Sequence, residues 1–218
     1  MIKYAEFLDR IIWCKRQINP LIDTDGLEIR GPDHSVQKVA AITVSAGALE
    51  CFLRSLCERI TTEIEINQVL RGKISPKISG VAFMTEFQSI TDSKYEKKVA
   101  RISDFFSKSA NIYFKSDSSP VSYPFDNKTI RSYHIENYWK LIDGIGSPFP
   151  SDGNHSLALN DLATIRDEIG HGRMYPGTVH GSKTAPEILT SITKIEEIGT
   201  ILENETAVFF AGKKYALA

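Results

Sequence analysis

Arg166 and His171 stand five residues apart in Leu157-Ala-Leu-Asn-Asp-Leu-Ala-Thr-Ile-Arg-Asp-Glu-Ile-Gly-His-Gly172, and their types could do chemistry together. A guanidinium holds two oxygens of one phosphate at once, and an imidazole exchanges protons near neutral pH. Asp167 lies four residues before His171, the helical spacing at which a carboxylate orients an imidazole or favours its charged form. Arg173, two residues beyond the histidine, adds a cation of use to a phosphate, or is ordinary helix-end charge. Glu50 is acidic in an apolar context and reaches the same cleft on this reading to hold Arg166 or His171; pairing with Arg54, four residues on, explains it as well. No Gly-rich phosphate loop, Ser-His-Asp order or His-Glu-x-x-His is present, and no metal-ligand cluster is visible, so neither metal nor cofactor is expected.

On an unbroken helix, residues five apart point about 140° away from each other, so one copy of the pair makes a poor site. Gly170 is expected to loosen the last turn and swing His171 inward, with a two-fold axis bringing two such helices into one groove. The same residues also read as a plain helix end. There a cation suits the dipole, and the glycine after the histidine supplies a left-handed turn.

With a polar Asp167 after the arginine, an aliphatic Ile169 two before the histidine and Gly172 after it, the segment resembles the signature of HEPN domains, in particular the RiboL-PSP-HEPN and related bacterial defence-associated branches. Ala40-Ala-Ile-Thr-Val-Ser-Ala-Gly-Ala-Leu-Glu-Cys-Phe-Leu53 resembles the long early helix of those branches, where small residues precede an acidic-aromatic pair. The two segments come in the expected order, while residues from about 72 to 130 resemble nothing nameable. The resemblance implies an all-α, HEPN-like up-and-down helical bundle and a metal-independent endoribonuclease. It would act as a homodimer in which arginine and histidine of both subunits face one cleft. Arg166, His171 and Asp167 would be catalytic, and Arg173 and Glu50 would lie at the RNA-binding surface. An antitoxin or a defence-complex protein is the further partner implied. One departure matters: where toxins regulated by a partner nucleotidyltransferase carry a modified tyrosine, two positions after the histidine, this chain has Arg173, and the nearest tyrosine is Tyr175. That form of regulation is not expected. Two other readings stay open, a catalytically silent HEPN module that binds RNA or nucleotide or scaffolds a larger complex, and a helical dimer with no nucleic-acid role.

Composition narrows the field. The chain carries 26 basic and 27 acidic residues for a formal charge of -1, so any contact with RNA must be local and not a general basic coat. With 42% hydrophobic residues over 218 positions it can bury one core without staples, and a single domain over 1–218 is expected. Cys14, Cys51 and Cys57, odd in number and set in apolar patterns, read as buried free thiols. Glu6 and Asp9 interrupt the apolar pattern of the N-terminus, which reads as a helix and not a signal peptide, and no run approaches the roughly 20 apolar residues that span a bilayer. A cytoplasmic location follows, in which the Asn-x-Thr matches at Asn127 and Asn204 carry no glycan.

Seven helical patterns must position the pair. The first runs over about 2–18 and ends at Asn19-Pro20, followed by a connector over 23–33. The longest covers 35–69; its small residues Ala40, Ala41, Ser45, Ala46, Gly47 and Ala48 would let a neighbouring helix, including one from a second subunit, approach closely. A short pattern over 81–87 and a longer one over 95–114 lead to a loop at 115–120. Residues 129–142, 157–171 and 186–210 complete the set. His34 precedes a helix, and His155 and His180 read as solvated loop residues.

Overall fold

The stretch from Ser35 to Ile66 carries a long apolar run, so much of the helix it forms must be covered by the rest of the chain. The computed structural model describes residues 3–29, 34–107, 112–115, 129–151 and 154–217. Among them are nine helices: α1 (Tyr4–Ile18), α2 (Ser35–Ile66), α3 (Pro76–Ala82), α4 (Met84–Thr91), α5 (Tyr95–Ser107), α6 (Ser132–Leu141), α7 (Asn154–Gly170), α8 (Pro176–Ser182) and α9 (Ala185–Ala211). The described residues contain isolated bridges but no strand, so the fold is an all-α helical bundle. α1, α7, α8 and α9 all pack on α2.

Aromatic stacking sets the closest of these contacts. Phe7 of α1 lies on Phe52 of α2 with ring centroids 4.9 Å apart, both fully buried. α9 approaches the same ring through Gly199, where a Cβ would stand 2.3 Å from Phe7. Ile188, Ile192, Ile195, Ile198 and Leu202 run down the buried side of α9 at three-four spacing. α6 joins the core through Tyr138, whose hydroxyl is 2.7 Å from the Thr206 hydroxyl, both fully buried. At the other end of α2, Lys38 is fully buried and donates to Glu28 at 2.8 Å and to the Lys183 carbonyl at 2.9 Å. Glu28 also accepts the Ala185 amide at 2.9 Å, so one carboxylate ties the 23–29 connector, the start of α2 and the start of α9.

Several expectations are corrected. The pattern over 81–87 is two helices, α3 and α4, broken at Phe83, which leaves helical geometry and turns its ring into the core against Phe105 and Phe114. Of the pattern over 95–114, residues Tyr95–Ser107 are helical and 108–111 lie outside the described residues. Phe114 is not helical and donates its amide to the Val69 carbonyl, beside an Arg71 amide that donates to Ile112. Cys14 and Cys57 are buried free thiols, but Cys51 is exposed, because it lies on the strip of α2 that no helix covers. His155 is no loop residue: it sits in the first turn of α7, 2% exposed, with Nε2 2.5 Å from Glu197 of α9. His180 is on α8, and its solvation, like most of the loop expected at 115–120, lies outside the described residues. Asn127 and the 30–33 end of the connector also lie outside them.

α2 is long and apolar enough to cross a membrane by length and composition, contrary to the expectation that no run comes near; 56% of its most apolar 18-residue stretch is buried within the bundle. Its small residues serve the subunit itself. Ala41, Ser45, Ala46 and Ala48 are buried against the chain's own helices, which removes them as a face for a second copy.

Two glycines on the central helices test this packing in opposite directions. A methyl group added at Gly47 would have nothing within 4 Å, whereas one added at Gly199 would meet Phe7. Gly47→Ala should stabilise by about 0.5–1 kcal/mol through helix propensity. Gly199→Ala should destabilise by about 1–3 kcal/mol through overpacking. Urea unfolding of both variants checks the pair, and equal shifts would contradict the α1–α9 contact.

Candidate functional site

α7 forms because Ala158, Leu159, Leu162, Ala163 and Ile165 place an apolar side against α2 and α9. The turn carrying Arg166 and Asp167 emerges at the edge of that contact, with the two side chains 37% and 29% exposed. The helix then ends in a complete Schellman motif. Gly172 has φ +67°, its amide donates to the Ile169 carbonyl at 3.0 Å, and the Arg173 amide donates to Glu168 at 2.7 Å. Gly170 remains helical, so the expected loosening falls two residues later, at the glycine whose positive φ makes the turn. His171, just before that turn, is exposed.

The Asp167 carboxylate organises what stands around Arg166. One oxygen accepts the Thr129 hydroxyl and, at 3.4 Å, Nη1 of Arg166; the other accepts Nη2 of Arg131 at 3.2 Å. Arg166 Nη1 also donates to the Thr129 hydroxyl. Its Nη2 is 3.8 Å from Glu50 of α2, which pairs with Arg54 at 3.1 Å, so both roles expected of Glu50 are met together. Arg131 is fastened a second time, donating Nη1 to the Thr164 hydroxyl at 3.1 Å. Ser132 and Asn160 exchange two hydrogen bonds alongside, the Ser132 amide reaching Asn160 at 2.9 Å and the Asn160 amide returning to the Ser132 hydroxyl at 3.1 Å. The start of α6 is thus bound along α7.

The structure therefore brings Arg166, Asp167 and Glu50 together and leaves His171 and Arg173 apart from them, both exposed. The expected contact between the Asp167 carboxylate and the His171 imidazole is not made among the described residues. The carboxylate is filled by two guanidiniums and a hydroxyl, and only the Asp167 carbonyl touches His171, accepting its amide at 3.0 Å. Partial burial is the largest single influence on the Asp167 carboxyl and pushes its pKa up. The hydrogen bonds from Thr129 and Arg166 and the charges of Arg131 and Arg166 together outweigh it, so the group lies below its ordinary value.

Thr129 and Arg131 were not singled out in the sequence, because they lie 37 and 36 positions from their partners on α7. One signal was available: Arg131 precedes the first turn of α6, the end of a helix where a cation is disfavoured, so it needed an acid elsewhere. No cluster of three or more His, Cys, Asp or Glu suited to a metal occurs among the described residues. A cavity of about 490 Å³ opens between α4 and α5, lined by Arg71, Glu86, Arg101 and Phe105, away from this cluster. The Arg166 cluster lies instead on partly exposed surface. Comparison with family models, curated proteins and solved structures gave no match to this chain. The HEPN resemblance accordingly stands on the residues of α2 and α7 alone.

The depressed Asp167 value sets a pH window. A carboxylate with a lowered folded pKa contributes stability that is complete above its unfolded value and is lost as pH falls through the folded one. Asp167→Asn should therefore destabilise the protein at pH 7, and its gap from the parent should close in acid below the ordinary carboxylate range. Denaturant unfolding at a series of pH values measures this. A gap unchanged down to strong acid would mean that the carboxylate is not held as described.

Proposed function

We propose that the protein is a metal-independent endoribonuclease, the effector of a toxin–antitoxin or phage-defence system, working as a homodimer. The observation that carries this reading is the pairing of a fixed guanidinium with an unencumbered imidazole at one helix end. Arg166 is held by Asp167, Thr129 and Glu50 with over a third of its side chain exposed, and His171 beyond it stands in solvent with no side-chain partner among the described residues. RNA cleavage without a metal needs the ribose 2′-hydroxyl activated, charge on the phosphate stabilised and the 5′-oxygen protonated. Arg166 supplies the second of these, and His171 exchanges the proton. Within one regular helix the two point about 140° apart. A two-fold axis beside the ends of two α7 helices supplies the missing juxtaposition, since Ala41, Ser45, Ala46 and Ala48 of α2 are buried inside the subunit. Asp167 serves as a positioning residue for Arg166.

A second reading, a silent module that binds RNA or scaffolds a complex, is favoured by the completeness of Arg166's own pairing: two carboxylates and a hydroxyl already account for its charge. The two readings part on cleavage. Arg166→Ala and His171→Ala should each lower cleavage of single-stranded RNA by about 10²–10⁴-fold, measured in chelator, with folding and dimerisation retained. Parent-like cleavage by His171→Ala would leave the silent module in its place. Sedimentation at micromolar concentration should give a dimer, and a stable monomer would remove the composite site.

A further inference from the structure

We infer that Arg131 is a second phosphate-holding guanidinium of this site, set beside Arg166 by the carboxylate they share; this rests on the RNA-cleaving reading. Asp167 divides its two oxygens between the two arginines, with Arg166 on one and Arg131 on the other, so their guanidiniums are held on either side of a single small group. Both are partly open to solvent, at 37% and 34% of the side chain. Each keeps N–H donors beyond those its protein partners take, because a guanidinium carries five and Arg131 spends one on Thr164 and one on Asp167. Two guanidiniums meet at the one Asp167 carboxylate, beside the Glu50 carboxylate that approaches Arg166. An anion that bridges the two forks takes up the spare donors of both. A phosphodiester of a single-stranded RNA backbone has the charge and the planar oxygen pair that guanidiniums recognise.

A clamp between α6 and α7 would use the same contacts for stability alone, so the test must read charge at the bound phosphate. The probe is a labelled single-stranded RNA oligonucleotide bound to the cleavage-impaired His171→Ala protein, followed by anisotropy from low to moderate salt. Adding Arg131→Gln should weaken binding about tenfold or more, and the slope of log affinity against log salt should fall by about 0.7 for each phosphate no longer neutralised. Arg131→Lys keeps the cation but loses the fork, and should hold the slope while weakening binding severalfold. A circular-dichroism melt of each variant reports folding, and the lysine variant carries the test if the glutamine variant does not fold. A lowered melting temperature with parent-like affinity and slope makes Arg131 a structural clamp and overturns the inference, as does an Arg131→Lys protein that binds as tightly as its parent. Cleavage by the otherwise unaltered protein stays intact in that case, so the ribonuclease reading survives. If the unaltered protein neither binds nor cleaves the RNA, both readings fall together.

Discussion

The constraint from which the rest follows is the burial of α2. This helix of 32 residues buries half of them, and four other helices are disposed to cover that half. Its polar groups appear where that cover ends or where a partner is guaranteed. Lys38 is taken fully inside, yet its charge meets Glu28, and the same carboxylate caps the amide that opens α9. Breaking such a buried pair by removing one partner is costlier than never having built it. Glu50 marks the opposite case, a carboxylate at the rim where α2 meets α7, left with enough exposure to pair with Arg54 and to approach Arg166.

At that rim, charge is distributed by Asp167. Its two oxygens are divided between arginines from two different elements, and the hydroxyl of Thr129 closes the gap between carboxylate and guanidinium. The arrangement fixes the forks while leaving both side chains partly exposed, and the imidazole of His171 stands outside the network among the described residues. For the proposed ribonuclease, a held cation beside a separate proton carrier would suit two tasks of which one needs rigidity and the other exchange with solvent.

Much of this was legible in the residues. The long patterns that became α1, α2, α6, α7 and α9 are dominated by three-four spacing, which needs no knowledge of neighbours. Where tertiary contacts decide, the pattern misleads. Phe83 and Phe114 look like members of helical runs, but each is recruited out of helical geometry, Phe83 by an aromatic cluster and Phe114 by pairing with residues 69–71. Cys51 has an apolar neighbourhood in sequence, yet in the fold it is exposed. His155 sits in polar surroundings along the chain and is buried by Glu197 from α9. Arg166, Asp167 and Glu50 were within reach because two of them are adjacent and the third lies in a recognisable helix. Thr129 and Arg131 were not, because their partners are set by how α6 docks on α7.

The regularity of α7 through Gly170 has a consequence for mixed assemblies. Because α7 stays helical through Gly170, and helix geometry sets residues five apart about 140° from each other, the composite site of the proposed dimer would borrow one member from each copy. Two defective copies, one without the arginine and the other without the histidine, would then complement each other. Half of a random mixture would be hybrid pairs, and every hybrid would hold one arginine and one histidine in trans, whereas a site confined to one chain would gain nothing from the mixing.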